Sequence, residues 1–140
     1  MLKNGKAVML LMQEVICEIN KAKQHDNTKQ QAASLEIKLA KLQELSIHLM
    51  SVAQNEGIEA YLSDATLYLE LFGILVMGWQ WLKMANTCNE NTSIDKEFSK
   101  SKILSFNYFY EYELPKTEAL FIRLKSTNRV TVGMDSNLID

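Results

Sequence analysis

The chain has 140 residues, of which 47% are hydrophobic and 23% are charged, and its formal net charge is −2. This length and composition suit one globular domain, and the charge gives no electrostatic argument for a nucleic-acid partner. The first residues lack the basic start and apolar run of a signal peptide, and Cys17 and Cys88 have no C-x-x-C spacing. We therefore expect a cytoplasmic protein with reduced thiols, although the spacing does not exclude a single disulfide.

Two helices are predicted in the first part of the chain. Over about residues 6–24, apolar residues recur at helical spacing; they are Val8, Leu11, Met12, Val15, Ile16 and Ile19. A polar break follows, in which Asp26, Asn27 or Thr28 could cap the next helix. That second helix, over about residues 29–55, carries a seam of leucines and ends before Gly57, which can adopt a left-handed cap conformation. The seam consists of Leu35, Leu39, Leu42 and Leu49.

The third predicted helix, over about residues 60–86, is apolar on nearly all sides. Such a helix is buried either in a protein core or in a membrane. The run without charge covers only residues 71–82, which is shorter than the roughly 20 residues that cross a bilayer. We therefore predict a central core helix and no membrane span. The residues predicted to face the core are Phe72, Val76, Trp79 and Leu82, and a loop is predicted at residues 86–92.

Residues 104–114 give conflicting signals. Their aromatic side chains alternate with polar ones, as in a β-strand. A lone strand would have no partner for its backbone groups, however, and a row including Phe98, Phe109 and Tyr112 has helical spacing. We predict a fourth helix over about residues 94–126, capped by Ser93 and kinked or broken near Pro115, because proline lacks an N–H donor. Residues 127–140 are predicted to be an irregular tail.

Together these segments predict an all-α protein, an antiparallel four-helix bundle formed as one domain of residues 1–140. Three covering helices cannot easily hide every side of the third helix, so an interface is predicted there and on the aromatic fourth helix. Its candidate residues are Gly73, Met77, Gln80, Trp81, Tyr108, Tyr110 and Tyr112. We expect the isolated chain to form a homodimer through such a surface.

No pattern in the sequence predicts a catalytic, cofactor-binding or metal site. The histidines lack the H-x-x-x-H or E-x-x-H partner of a zinc site. His48 could accept a phosphoryl group on a helical bundle, but neither lysine nor glycine stands beside it. Asp64 and Glu70 are six residues apart and do not share a helical face. The rings of Trp79 and Trp81 could stack on a flavin or an acyl chain, but packing is the commoner role of such rings.

Several short motifs occur in a recognisable order along the chain. On the third helix they are Asp64-Ala65-Thr66, Tyr68-Leu69, Leu71-Phe72-Gly73, Gly78-Trp79-Gln80-Trp81-Leu82 and Met84-Ala85. Asn4-Gly5-Lys6-Ala7, Lys102 with Ser105, and Leu114-Pro115-Lys116-Thr117 accompany them. The set resembles the helical C-terminal extension of certain acyl-CoA dehydrogenases, over residues 4 to about 126. The sequence departs from that pattern at Phe106 and Asn107, where the family tends to have alanine and then arginine.

The resemblance implies that the chain is the C-terminal accessory part of a larger flavoenzyme of fatty-acid metabolism. In that case it packs on the remainder of the dehydrogenase or on a second subunit. The resemblance also implies that the parent enzyme is an oxidoreductase that uses FAD, with its flavin-binding, acyl-CoA-binding and catalytic residues upstream of this extension. The alternative is a self-standing helical bundle that binds a protein partner or a lipid-like ligand.

Overall fold

The computed structural model describes residues 2–126 and is helical apart from short connections. Its α-helices are α1 (Leu2–Ala22), α2 (Lys29–Asn55), α3 (Ile58–Glu90), α4 (Lys96–Tyr108) and α5 (Thr117–Lys125). A π-helical turn (Phe109–Glu113) and a 3-10 turn (Leu114–Lys116) connect α4 to α5, so these four pieces form a fourth helical segment. No strand occurs in the described range, which confirms the all-α prediction and the helical choice for residues 104–114. The tail predicted at residues 127–140 lies outside the described residues.

The central position is held by α3, which contacts α1, α2, α4 and α5. Its buried side chains recur three or four residues apart, as expected for one face of a helix; they include Leu71, Leu75, Trp79, Leu82 and Ala85. The leucine seam of α2 is buried as well, including Leu35, Leu42 and Leu49. The core therefore lies between α2 and α3, with α1 and the fourth segment closing it from other directions.

Two polar contacts set the register of α3 against its neighbours. The Ser46 and Tyr68 hydroxyl oxygens lie 2.8 Å apart and join α2 to α3. The Tyr110 hydroxyl donates a hydrogen bond of 2.7 Å to the backbone oxygen of Gly78. Because Gly78 has no side chain, the π-helical turn can approach α3 closely there. A Cβ atom built on Gly78 would lie 3.4 Å from a methyl carbon of Leu114.

The predicted loop at residues 86–92 begins later than expected, because α3 continues to Glu90. Asn86 is buried, and its side-chain amide donates to the backbone oxygen and to Oε2 of Glu18, both at 2.8 Å. The Thr87 hydroxyl donates to the backbone oxygen of Lys83 at 3.0 Å. Asparagine and threonine disfavour helix interiors, but these contacts with α1 and with the preceding turn hold them in helical conformation.

The cap of α4 is Asp95, so the predicted cap, Ser93, is wrong. Asp95 Oδ1 accepts a hydrogen bond from the backbone N–H of Glu97 at 3.4 Å. Ser93 is engaged in a separate turn, in which its backbone N–H and hydroxyl donate to Asn91 Oδ1 at 3.0 and 2.6 Å. An asparagine side chain that mimics a turn in this way competes with the capping geometry.

The residues predicted to cap α2 give no side-chain cap either. Thr28 occupies the capping position, but its hydroxyl donates to the backbone oxygen of Ala22 at 2.7 Å, and the residue is fully buried. It therefore links the end of α1 to the start of α2. At the other end of α2, Gly57 has a φ of +95°, the positive value that favours glycine.

Around Pro115 the α-helical hydrogen-bond pattern is interrupted. The backbone N–H of Leu114 donates to Phe109, five residues earlier, and that of Thr117 donates to Leu114, three residues earlier. Pro115 cannot donate at all. The five-residue step places Phe109 and Leu114 inward together, and both are buried against Gly78.

One helical stretch of the described residues, Asp64–Glu90, is long and apolar enough to cross a membrane by length and composition alone. A core helix of a soluble protein meets the same criteria, so the absence of a membrane span stays a prediction. Only 28% of the apolar window in that stretch is buried. The exposed large apolar side chains of that stretch are Leu69, Phe72, Met77 and Met84, so the other described helices leave part of the apolar surface of α3 uncovered.

Candidate docking surface on α3

The interface residues predicted on α3 come together on its outward side. Met77 is 53% exposed, Gln80 is exposed and Trp81 is half-buried. A Cβ atom built on Gly73 would meet no atom within 4 Å, so the backbone there is open to a neighbour. Met84 continues the row and, with Met77, Gln80 and Trp81, lines a shallow depression. We call these five residues, Gly73, Met77, Gln80, Trp81 and Met84, the outer strip.

The three tyrosines predicted at the interface do not share one face. Tyr108 and Tyr112 are 57% and 60% exposed, and their rings stack with centroids 4.8 Å apart. Tyr110 is buried, so its assignment to the interface is wrong. In a helix it lies on the side opposite to Tyr108, whereas only the rejected strand would have aligned all three. Burial raises the pKa of the Tyr110 hydroxyl far above its ordinary value, so it remains a donor to Gly78.

The four predicted core residues of α3 fall into three groups. Leu82 and Trp79 are buried, and Val76 is partly buried against the core. Phe72 is 36% exposed, so its assignment to the core is wrong. Leu71 is fully buried instead. Neighbouring residues point about 100° apart on a helix, so the burial of Leu71 turns Phe72 toward the surface.

An apolar groove lies between α1, α2 and α3. Its inner part is a cavity of about 30 Å³, which has room for water molecules but not for an acyl chain. Its lining is apolar and includes Leu11, Leu42, Phe72, Leu75 and Trp79. The indole nitrogen of Trp79 is buried with no hydrogen-bond partner among the described residues. Toward solvent the groove widens past Ser46 and Tyr68.

The titratable residues singled out in the sequence are not assembled into a site. His48 is half-buried, and its Nε2 atom is buried. A histidine that accepts a phosphoryl group needs an accessible ring nitrogen, which disfavours that role for Nε2. Asp64 is buried, with Oδ1 3.9 Å from Nε of Arg123, whereas Glu70 is exposed. Within the described residues, no three metal-ligating side chains cluster.

Sequence reasoning missed one charged cluster, which joins α2 to α5. Lys38 Nζ lies 2.7 Å from Glu118 Oε1, and Lys41 Nζ lies 3.4 Å from Oε2. The hydrogen bond from Lys38 lowers the pKa of the Glu118 carboxyl, and the charges of both lysines act in the same direction. Lys38 is buried, which its sequence context did not predict. The sequence did contain a signal for this burial, because Lys38 lies three residues after Leu35 and four before Leu42 and so shares their face of α2.

A comparison with models of known protein families identifies the family to which this helical chain belongs. A family model described as "Acetyl-CoA dehydrogenase C-terminal like" matches residues 11–135. The chain belongs to this family. The resemblance found in the sequence motifs is thereby confirmed. Comparisons with curated proteins and with solved structures gave no match.

The family match places the outer strip within the dehydrogenase C-terminal-like domain itself. The matched range starts within α1, includes α2 to α5 in full, and continues past the end of α5 to residue 135. Residues 73–84, which contain the outer strip, therefore lie within the matched range.

Proposed function

We propose that this chain is the C-terminal accessory helical domain of an acyl-CoA dehydrogenase-like flavoenzyme. Its role is structural, in packing against other parts of the enzyme, and it contributes no catalytic residues. FAD binding and acyl-CoA oxidation belong to the remainder of the parent, an oxidoreductase of fatty-acid metabolism in the cytoplasm. The family match over residues 11–135 is the observation that carries this proposal.

The arrangement that fits this role is an antiparallel four-helix bundle forming one domain, with its fourth helix bending near Pro115. Several contact pairs support it. Asn27 near the start of α2 bonds Asn89 near the end of α3, whereas Ser46 farther along α2 contacts Tyr68 near the start of α3. The fourth segment likewise meets α3 in reverse order, since Tyr110 bonds Gly78 and Arg123 lies beside Asp64.

The outer strip has the chemistry of a packing surface. No charge interrupts residues 71–82, so burying this side desolvates few ions. Gly73 lets another backbone approach, methionine adapts to irregular surfaces, and tryptophan is enriched at interface centres. The partner is the dehydrogenase body or a second subunit. In the isolated chain we propose that a second copy covers the strip as a homodimer.

The test is purification of the protein from its native source with an antibody raised against this chain. We expect a complex that contains FAD, oxidises an acyl-CoA and is heavier than the 16.0 kDa of this sequence. Recovery of a flavin-free protein of 16.0 kDa, with no dehydrogenase in the sample, would contradict the proposal.

The apolar groove between α1, α2 and α3 favours a second candidate, a self-standing bundle that binds a lipid-like ligand. Its inner cavity of about 30 Å³ is too small for an acyl chain unless Phe72 or Leu11 moves, whereas its outer part, of about 400 Å³, is open as it stands. Titration of a fluorescent fatty acid into the isolated chain distinguishes this ligand-binding bundle from the accessory domain. Saturable binding that Leu11→Trp abolishes would favour the ligand, and its absence would favour the accessory domain.

A further inference from the structure

The outer part of the groove between α1, α2 and α3 is an open compartment without charge. Its volume is about 400 Å³, within the range of roughly 300–1,000 Å³ that is common for small-molecule sites. Apolar side chains such as Ile47 and Phe72 line it together with the polar side chains of Gln43, Ser46 and Tyr68. Among the described residues, no charged side chain lines this part or the inner cavity. The groove therefore offers nothing to compensate the charge of a bound ion.

The hydroxyl groups of Ser46 and Tyr68 have no hydrogen left to donate to a ligand. Ser46 Oγ donates to the backbone oxygen of Leu42 at 2.9 Å. A carbonyl oxygen only accepts, so this bond uses the hydroxyl hydrogen of Ser46. The hydroxyl oxygens of Ser46 and Tyr68 lie 2.8 Å apart. Both bonds form together only if Tyr68 donates to Ser46, which leaves the Tyr68 oxygen as an acceptor without a donor.

The pair of hydroxyl groups lies at the end of the groove away from the inner cavity. Phe72 is one turn beyond Tyr68 on α3 and lines both parts of the groove. The inner cavity continues from Phe72 to Leu75 and Trp79, farther along the same helix. Gln43 carries a donor as well as an acceptor, but it is exposed, so water already bonds its amide. A ligand whose polar end meets Tyr68 would extend its apolar part past Phe72.

On the basis of the second candidate function, ligand binding by the groove, we propose that the ligand is a neutral amphiphile whose polar end donates a hydrogen bond. A long-chain alcohol is the simplest example, with its hydroxyl group donating to the Tyr68 oxygen. A carboxylate offers acceptors only, so it has no hydrogen for Tyr68 and adds a charge that the groove does not compensate. The alcohol therefore binds more tightly than the fatty-acid anion of the same length.

Calorimetric titration of the full chain with three probes tests this selectivity. The probes are decan-1-ol, decanoate and 1-methoxynonane, an ether isomer of the alcohol that accepts a hydrogen bond but cannot donate one. We expect decan-1-ol to bind saturably and decanoate to bind more weakly. Tyr68→Phe should reduce the ratio of alcohol affinity to ether affinity about two- to tenfold, the effect of one neutral hydrogen bond. Hydration of the free probes is the same for every variant, so it cancels in this comparison.

Two further variants separate the hydrogen-bond argument from general damage to the groove. Ser46→Ala frees the hydrogen of Tyr68, so it should also reduce the alcohol-to-ether ratio, but by strengthening the binding of the ether. Tyr112→Phe is the matched control, because Tyr112 is exposed and does not line the groove. It should leave all three affinities unchanged. Circular dichroism checks that each variant remains helical.

Three results would overturn the proposal. One is decanoate that binds the unmodified chain as tightly as decan-1-ol, a comparison that does not depend on any variant folding. Another is an alcohol-to-ether ratio that Tyr68→Phe leaves unchanged. The third is the absence of saturable binding by all three probes, which would also reject the groove as a ligand site. The accessory role would be unaffected in each case, because its test is the flavin content of the native complex.

Discussion

Replacement of Trp79 by alanine should destabilise the domain strongly, because Trp79 is the largest of the buried side chains that the structure describes on α3. It is 91% buried, since 9% of its surface remains exposed. Truncating a large buried aromatic side chain costs about 3–5 kcal/mol. Lys83 Nζ lies 6.0 Å from the ring centroid, and such a contact at an exposed site adds about 0.5–1 kcal/mol. The indole N–H has no partner among the described residues, so the loss is one of packing.

The new void would join the cavity that Trp79 already borders. The walls of that cavity belong to three helices, including Leu39 of α2 and Leu75 of α3. These helices cannot close the gap without separating other contacts, so little of the cost is recovered by relaxation. For a domain of this length, a loss of 3–5 kcal/mol corresponds to a decrease in Tm of roughly 10–20 °C.

Urea unfolding followed by circular dichroism measures this loss. Circular dichroism reports helix content, so it is not affected by the loss of tryptophan fluorescence that the substitution causes. Trp81→Ala is the matched control, since Trp81 is half-buried and should cost at most about half as much. His48→Ala should cost little. Equal and small losses for Trp79 and Trp81 would show that the buried face of α3 has been misassigned.

Three further outcomes are expected. The purified chain should show no flavin absorbance and should oxidise no acyl-CoA; a yellow sample that bleaches with acyl-CoA would contradict the accessory role. Sedimentation equilibrium should show a dimer that Met77→Glu dissociates and that Ile37→Glu, a control of similar exposure on α2, leaves intact. The lowered pKa of Glu118 implies stability that is present at neutral pH and lost as pH falls through the folded-state pKa. Urea titrations should therefore show the difference between wild type and Glu118→Gln shrinking in acid, and a constant difference would exclude the Lys38 contact as its cause.

The sequence by itself determined the helical class and the family. Periodic apolar residues marked α1 and α2, and the lack of any strand partner decided the conflict at residues 104–114 in favour of helix. Both inferences use local pattern and backbone hydrogen bonding, which do not require knowledge of neighbours. The ordered motifs on α3 were enough to indicate the family, because they occur at fixed positions along one element.

The tertiary structure alone decided which side of α3 is buried. In an amphipathic helix the position of the polar side shows which side faces the core. Because α3 is apolar nearly all round, the sequence pattern could not decide between Phe72 and Leu71 as the core-facing residue. Gly78 and the π-helical turn then determine the outcome, because their close approach fixes the rotation of α3 and turns Tyr110 inward. The extension of α3 past Asn86 has the same origin, since Glu18 on α1 supplies the hydrogen-bond acceptors that hold it. Contacts between residues distant in sequence carry no periodic signal, and so only the assembled helices reveal them.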